Sequence, residues 1–207
     1  MRVMTMNVFA HHRGWEDRRR VVVDGIARLA PDVALLQEVV VTDRYDQARD
    51  ILGEAFEIHH QPGPSADGVG ATIASRWPME LVLETGLDDD DPSWIGSLAV
   101  ARVHGPERIG TVLVAHHKPT WLPAGESERE RQAVRAAREL ERIVEREPLP
   151  VILAGDLDAQ PDAASVRFLT GRQSLDGMSV KYHDAWAVRH PDAPGHTLSP
   201  ANAIRSD

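Results

Sequence analysis

Two carboxylates one residue apart, Asp156 and Asp158, follow Gly155 directly after the apolar run of residues 151–154. An uninterrupted, partly β-branched run of this kind reads as a strand buried on both faces. Both acids then lie at the carboxyl end of a core strand, where open α/β sheets place their ligands. Carboxylates in that position bind metals or move protons; the plain alternative is a strand-to-loop turn in which Asp caps the backbone. Three further polar sites stand at strand ends: Asn7, Glu38, and the pair His116-His117. Each has a bland reading by itself, as a turn residue, a solvated acid or a loop imidazole. Their common placement at strand ends is what points to one site.

The elements that position these groups are read from periodicity. Residues 2–8 alternate polar and apolar side chains, as a half-buried strand does, and bring Asn7 near its end. The spacing predicts a helix over 16–30, with Val22, Ile26, Leu29 and Ala30 on one face and Pro31 stopping it. A second apolar strand over 33–36 delivers Gln37 and Glu38. If the two strands are parallel, Asn7 and Glu38 emerge on the same rim. A helix over 42–52 ending at Gly53, a strand over 56–60 with the exposed pair His59-His60, and strands over 71–74 and 81–84 follow. The intervening 61–70 is a loop by its Pro and Gly content, and the acidic run 88–91 is a solvated turn. Strands over 96–103 and 108–115 are joined by a turn, the second ending at His116-His117. A charge-laced helix over 126–147 carries the stripe Val134, Ala137, Leu140, Val144 and leads into the strand before Asp156. Short helices are expected over 162–169, capped by Asp162, and over 183–190, and a strand from Gly195.

The bulk composition sets bounds. A chain of 207 residues with 42% hydrophobic content forms one domain with ample core. Cys is absent, so neither a disulfide framework nor a thiolate metal site exists. The N-terminus lacks a leader-like apolar core and no run reaches membrane-spanning length, so a cytoplasmic chain without stable membrane insertion is expected. The net charge of −9 argues against broad electrostatic capture of nucleic acid. An acidic chain acting on an anionic group needs a divalent cation or a focused positive pocket.

The blocks 4–8, the stretch from Pro31-Asp32-Val33 to Gln37-Glu38-Val39, Gly70 to Pro78, Val114 to His117, and Gly155-Asp156-Leu157-Asp158-Ala159-Gln160-Pro161 appear in this order across most of the chain. In that order they resemble the endonuclease/exonuclease/phosphatase superfamily, which includes deoxyribonuclease I. The resemblance implies a four-layered α/β/β/α sandwich, two packed mixed sheets flanked by helices. It implies a phosphoesterase dependent on Mg²⁺ or Mn²⁺, acting most readily on phosphodiesters by in-line attack of water. Carried over by motif, Glu38 is the principal metal ligand with Asn7 beside it, and Asp156 orients and deprotonates the attacking water. His117 is the imidazole expected to donate to a non-bridging phosphate oxygen, with His116 as the alternative.

Two departures qualify the resemblance. Asp158 stands where the family usually has Asn, and an ionised carboxylate cannot donate a hydrogen bond to phosphate. The family also continues through an Arg-Ile-Asp-Tyr strand to a Ser-Asp-His motif, absent here, so the single domain 1–207 is expected to lack its C-terminal strands. The expected substrate is a phosphate ester: a small phosphodiester, lipid headgroup, sugar phosphate or nucleic acid. A dinuclear metallophosphatase would need Asp-x-His early and a Gly-Asn-His-Asp or Glu block later, neither of which occurs. The reading from a different class is a catalytically impaired, nuclease-like binding module.

Overall fold

The computed structural model describes residues 1–12, 14–61, 67–87 and 96–198. The acidic run 88–91 and half of the predicted loop 61–70 lie outside the described residues.

The first strand, β1 (Val3–Asn7), pairs in parallel with β2 (Val33–Thr42) through α1 (Trp15–Leu29), so Asn7 stands opposite Gln37. The right-handed crossover expected of such a unit puts α1 on one face of the sheet. There Val22 and Ile26 pack with Leu36, Val39, Ile51 and Phe56. Leu29, assigned to that face by its spacing, is instead exposed. Strands β4 (Glu57–Gln61) and β5 (Val69–Ser75) complete the order β1-β2-β5-β4. A short β3 (Tyr45–Asp46) folds back on Val41 and Thr42. It takes the first part of the predicted helix, so α2 begins only at Gln47 (Gln47–Leu52), where Asp46 caps it by accepting from Arg49 N.

The second sheet has the order β6-β7-β8-β9, made of β6 (Met79–Gly86), β7 (Ser97–His104), β8 (Thr111–Lys118) and β9 (Val151–Gly155). Its β8 and β9 run parallel, connected by α3 (Glu126–Arg146), whose Ala136 and Leu140 pack on Leu98, Val100 and Leu113. The short helix α4 (Ala164–Leu169) covers the other end of α3 through Phe168 and Leu169. Its N-cap is Ala163, without the side-chain bond expected from Asp162. The helix α5 (Ala185–Arg189) is capped by Asp184. The strand expected from Gly195 does not form through 198; these residues pair with no sheet edge and are largely exposed.

Between the sheets lies an apolar layer in which Val33, Leu35 and Ile73 of the first meet Ala99, Ala101, Val103, Val112 and Val114 of the second. Helices on the outer faces and two sheets within give the four-layered α/β/β/α sandwich. Both sheets mix parallel and antiparallel pairs. Among the described residues no helix is long and apolar enough to cross a membrane.

Candidate active site

Alternation along a strand sends every second side chain to one face. In β1, Val3, Thr5 and Asn7 therefore share the face toward the second sheet, while Met4 and Met6 join the α1 side. In β2, Leu35 and Gln37 face inward and Leu36 faces α1. Strict alternation would send Glu38 outward with Leu36. The register slips between Gln37 and Val39, and Glu38 takes φ +53. This bulge places Val39 back on the α1 face and leaves Glu38 at the rim.

The amide of Asn7 joins the two sheets. Its Nδ2 donates to Glu38 Oε1 at 2.8 Å and to Asp156 Oδ2 at 2.9 Å, although Asp156 lies 149 positions away. Its Oδ1 accepts from Phe9 N at 2.8 Å, and because a backbone N–H only donates, the amide orientation is set. Asn7 thus acts toward the two acids as a donor, with its oxygen committed to the backbone.

Gly155 brings Asp156 into place. It sits opposite His117 in the β8–β9 pair, and a Cβ there would lie 1.8 Å from the His117 carbonyl oxygen. Only a residue without a side chain permits this approach. Beyond it, Asp158 adopts φ +47 and its backbone N–H faces Asp156 Oδ1 at 3.4 Å.

Lys118, which placement at a strand end alone does not flag, completes the cluster. Its Nζ lies 3.2 Å from Asp156 Oδ2 and pairs directly with Asp158. Burial opposes its charge, but Asp156 and Asp158 outweigh that and hold the ammonium above its ordinary pKa. Burial raises Asp158, and the nearby charges of Asp156 and Glu38 add to it, against the lowering pull of Lys118. Two carboxylates pair with this single lysine and the charge of Glu38 lies near enough to act on Asp158, which leaves the cluster with excess negative charge. The signal that finds Lys118 is period two: Val114, His116 and Lys118 share the inward face of β8.

The two histidines separate on the same ground. β8 runs on through both of them to Lys118, so neither lies beyond the strand end. His116 sits opposite Ala99 and Ala154 on the inward face, its Nε2 2.7 Å from Gln37 Nε2. His117 points to the α3 and α4 side, among Arg129, Ala133, Leu157 and Leu169, with Nδ1 3.2 Å from Ser97 O. Both are fully buried, and desolvation pushes His116 down to about 3 and His117 to about 4. The structure therefore brings together Asn7, Glu38, Asp156 and Asp158, sets His116 behind them, and does not bring His117 to them.

A family model for the endonuclease/exonuclease/phosphatase family matches residues 4–204. The chain belongs to that family. Among solved structures it is similar to the human Nocturnin catalytic domain with bound sulfate, at 19% identity and a TM-score of 0.69, covering 82% of this chain and 69% of that one. It is also similar to ANGEL2, a 2',3'-cyclic phosphatase, at 16% identity and a TM-score of 0.65, covering 80% of this chain and 56% of that one. A third is the Bacteroides thetaiotaomicron mannosyl-6-phosphatase Bt3783, at 16% identity and a TM-score of 0.63, covering 81% and 68%. These likenesses carry the fold. The chain spans little more than half of ANGEL2. A search of curated proteins finds no match.

The donor set can be tested against a divalent cation. Among the described residues no three metal-ligating His, Cys, Asp or Glu side chains gather about one point. A Mg²⁺-like ion does not require such a cage, since it is commonly held by one or two carboxylates and keeps several waters. Glu38 offers an oxygen that Asn7 does not use, on a rim with unbalanced negative charge. These residues fit a hard divalent cation at Glu38.

Proposed function

We propose that the chain is a divalent-metal-dependent phosphoesterase that hydrolyses phosphodiesters by in-line attack of water. The observation that carries this reading is the Asn7 amide bonded at once to Glu38 and Asp156, acids supplied by different sheets. Buried apolar packing explains the sandwich, but it gives no reason to gather acids at its rim. Holding them together costs electrostatic energy that a bound cation offsets.

The roles follow from position. Asp156 is the base: Asn7 and Lys118 hold its Oδ2, and its partly exposed carboxylate takes the proton of the attacking water. Lys118 offers N–H donors to the non-bridging oxygens of the phosphate as charge grows on them. His116 supports the site from behind through Gln37, and His117 has no part in the reaction. Glu38 would hold Mg²⁺ or Mn²⁺, whose charge, when bound, offsets that of the phosphate group. Asp158 balances Lys118 in place of the usual amide.

The substrate side of the reading is tested with bis-p-nitrophenyl phosphate and p-nitrophenyl phosphate, each with EDTA, Mg²⁺ or Mn²⁺. Faster turnover of the diester, abolished by EDTA and restored by either cation, is expected. Turnover that EDTA leaves unchanged would overturn the metal-dependent mechanism.

A further inference from the structure

Beyond Asn7 the chain leaves β1, while β2 runs on to Thr42, so past Glu38 the edge of β2 that faced β1 has no strand beside it. The departing loop takes over for two hydrogen bonds: Val8 N donates to Gln37 O and Ala10 N to Glu38 O, each at 2.8 Å. Two residues further along β2, Val40 N bonds to a side chain instead. Gln47 Oε1 accepts from it at 2.8 Å, and Gln47 Nε2 donates to Ala10 O at 3.1 Å. A backbone N–H only donates and a carbonyl only accepts, so the orientation of this amide is set. Gln47 thereby closes a ring that runs from Glu38 O through Ala10, its own amide and Val40 back to Glu38.

The ring encloses strained backbone. Phe9, Ala10 and Glu38 take positive φ, of 62°, 43° and 53°, and make up three of the six non-glycine residues that do so among the described residues. Conformations of this kind persist where the surroundings over-determine them. Arg18 braces the loop after Asn7, donating to Val8 O at 2.9 Å, Ala10 O at 3.2 Å and His12 O at 2.7 Å. Gln47 bonds both to that loop and to the segment after Glu38. It is fully buried, at the start of α2, whose Ala48, Ile51 and Leu52 pack with Leu36 and Val39 and keep it from withdrawing. An apolar side chain would fill the same space, and an amide at this depth is favourable only with both ends bonded. Its use here matches the two backbone groups, Val40 N and Ala10 O, that the bulge and the loop present to it.

We infer that Gln47 is a positioning residue of the candidate site: through Ala10 and Val40 it holds the strained turn at Glu38, and so sets that carboxylate at the rim where a divalent cation would be held. It touches neither cation nor substrate. The inference rests on the phosphoesterase reading and deepens it by naming what fixes the metal-binding acid.

The test measures Mn²⁺ binding directly, from the electron paramagnetic resonance signal of the free ion, beside the Mn²⁺ dependence of bis-p-nitrophenyl phosphate turnover. Gln47→Met keeps the length of the side chain and removes both bonds. It is expected to weaken Mn²⁺ binding about tenfold, as loss of a group that orients a metal ligand does, and to raise the Mn²⁺ needed for half-maximal turnover by the same factor, with turnover at saturating Mn²⁺ within about threefold of the unaltered protein. Leu140→Ala, where α3 packs on the second sheet, lowers stability without touching the ring and should leave Mn²⁺ affinity unchanged. If circular dichroism shows Gln47→Met unfolded, Gln47→Asn, whose shorter stem cannot span both partners, decides by the same two readouts. Unchanged Mn²⁺ affinity in a folded Gln47 variant, or an equal loss in Leu140→Ala, would overturn the inference and leave the phosphoesterase reading standing. An unaltered protein that binds no Mn²⁺ would refute the metal-dependent reading, and the inference with it.

Discussion

Lowering the pH from 7 should destabilise this protein steeply before its carboxylates titrate, because β8 buries two neutral imidazoles. Gln37 is oriented by the Leu35 carbonyl to which its Nε2 donates, so the same amide nitrogen presents hydrogen to His116 Nε2. That leaves the proton on His116 Nδ1, which has no hydrogen-bond partner among the described residues. A second proton on His116 would set donor against donor at Gln37 and place a charge in the apolar layer. His117 is enclosed as completely on the other face, bonded to Ser97 O. The sign follows from linkage. Both folded pKa values, about 3 and about 4, lie below the unfolded value near 6.5, so between them the unfolded chain binds protons that the folded chain does not. Stability is therefore full above about pH 6.5 and falls as pH drops. Two protons give a slope of about 2.7 kcal/mol per pH unit, or a loss of about 4 kcal/mol by pH 5. Asp158, whose folded pKa is raised, works in the opposite sense and only toward the acid end. Urea unfolding at intervals from pH 7.5 to 4.5 measures the slope, and His117→Asn should reduce it to about 1.4 kcal/mol per pH unit. A flat profile through this window, or the same slope in the variant, would refute the burial argument.

Gly155→Ala should cost about 2–3 kcal/mol in urea unfolding, since the added Cβ meets the His117 carbonyl at 1.8 Å and sheet pairing prevents that backbone from retreating. An unchanged midpoint would mean β9 can shift on β8. Gln37→Ala should cost about 2 kcal/mol by the same assay, because it strips the buried His116 ring of its hydrogen-bond partner. Asp158→Asn should keep hydrolysis, since Lys118 still pairs with Asp156; a loss equal to that of Asp156→Asn would give Asp158 a role of its own.

Much of the framework was legible because it depends on patterns that side chains cannot hide. The apolar run before Gly155 and the unit from Asn7 to Glu38 specify parallel strands with helical crossovers, and the ordered motifs specify the sandwich. Local spacing misleads where pairing partners decide the outcome. The stretch after Thr42 has helical spacing, yet Tyr45 and Asp46 find a free stretch of β2. His59 and His60, expected in solvent, are half-buried: His59 meets Glu84 across the sheets, and His60 lies between Asp46 and Thr72. At the site, the apolar run of β8 suggested an end before His116, whereas pairing with β7 and β9 carries the strand to Lys118. That extension turns one histidine inward and the other outward. The bulge at Glu38 is invisible in sequence because it compensates between two strands, and period two alone would have aimed the acid into the α1 layer.

Glu38 and Asp156, joined through Asn7, are proposed as the hydrolytic centre. The most direct measurement is bis-p-nitrophenyl phosphate turnover in Mg²⁺ by the unaltered protein, Glu38→Gln and Asp156→Asn, with circular dichroism confirming that each is folded. Both variants are expected to stay folded and to lose at least about a hundredfold in rate. Folded variants that retain the turnover of the unaltered protein would contradict it.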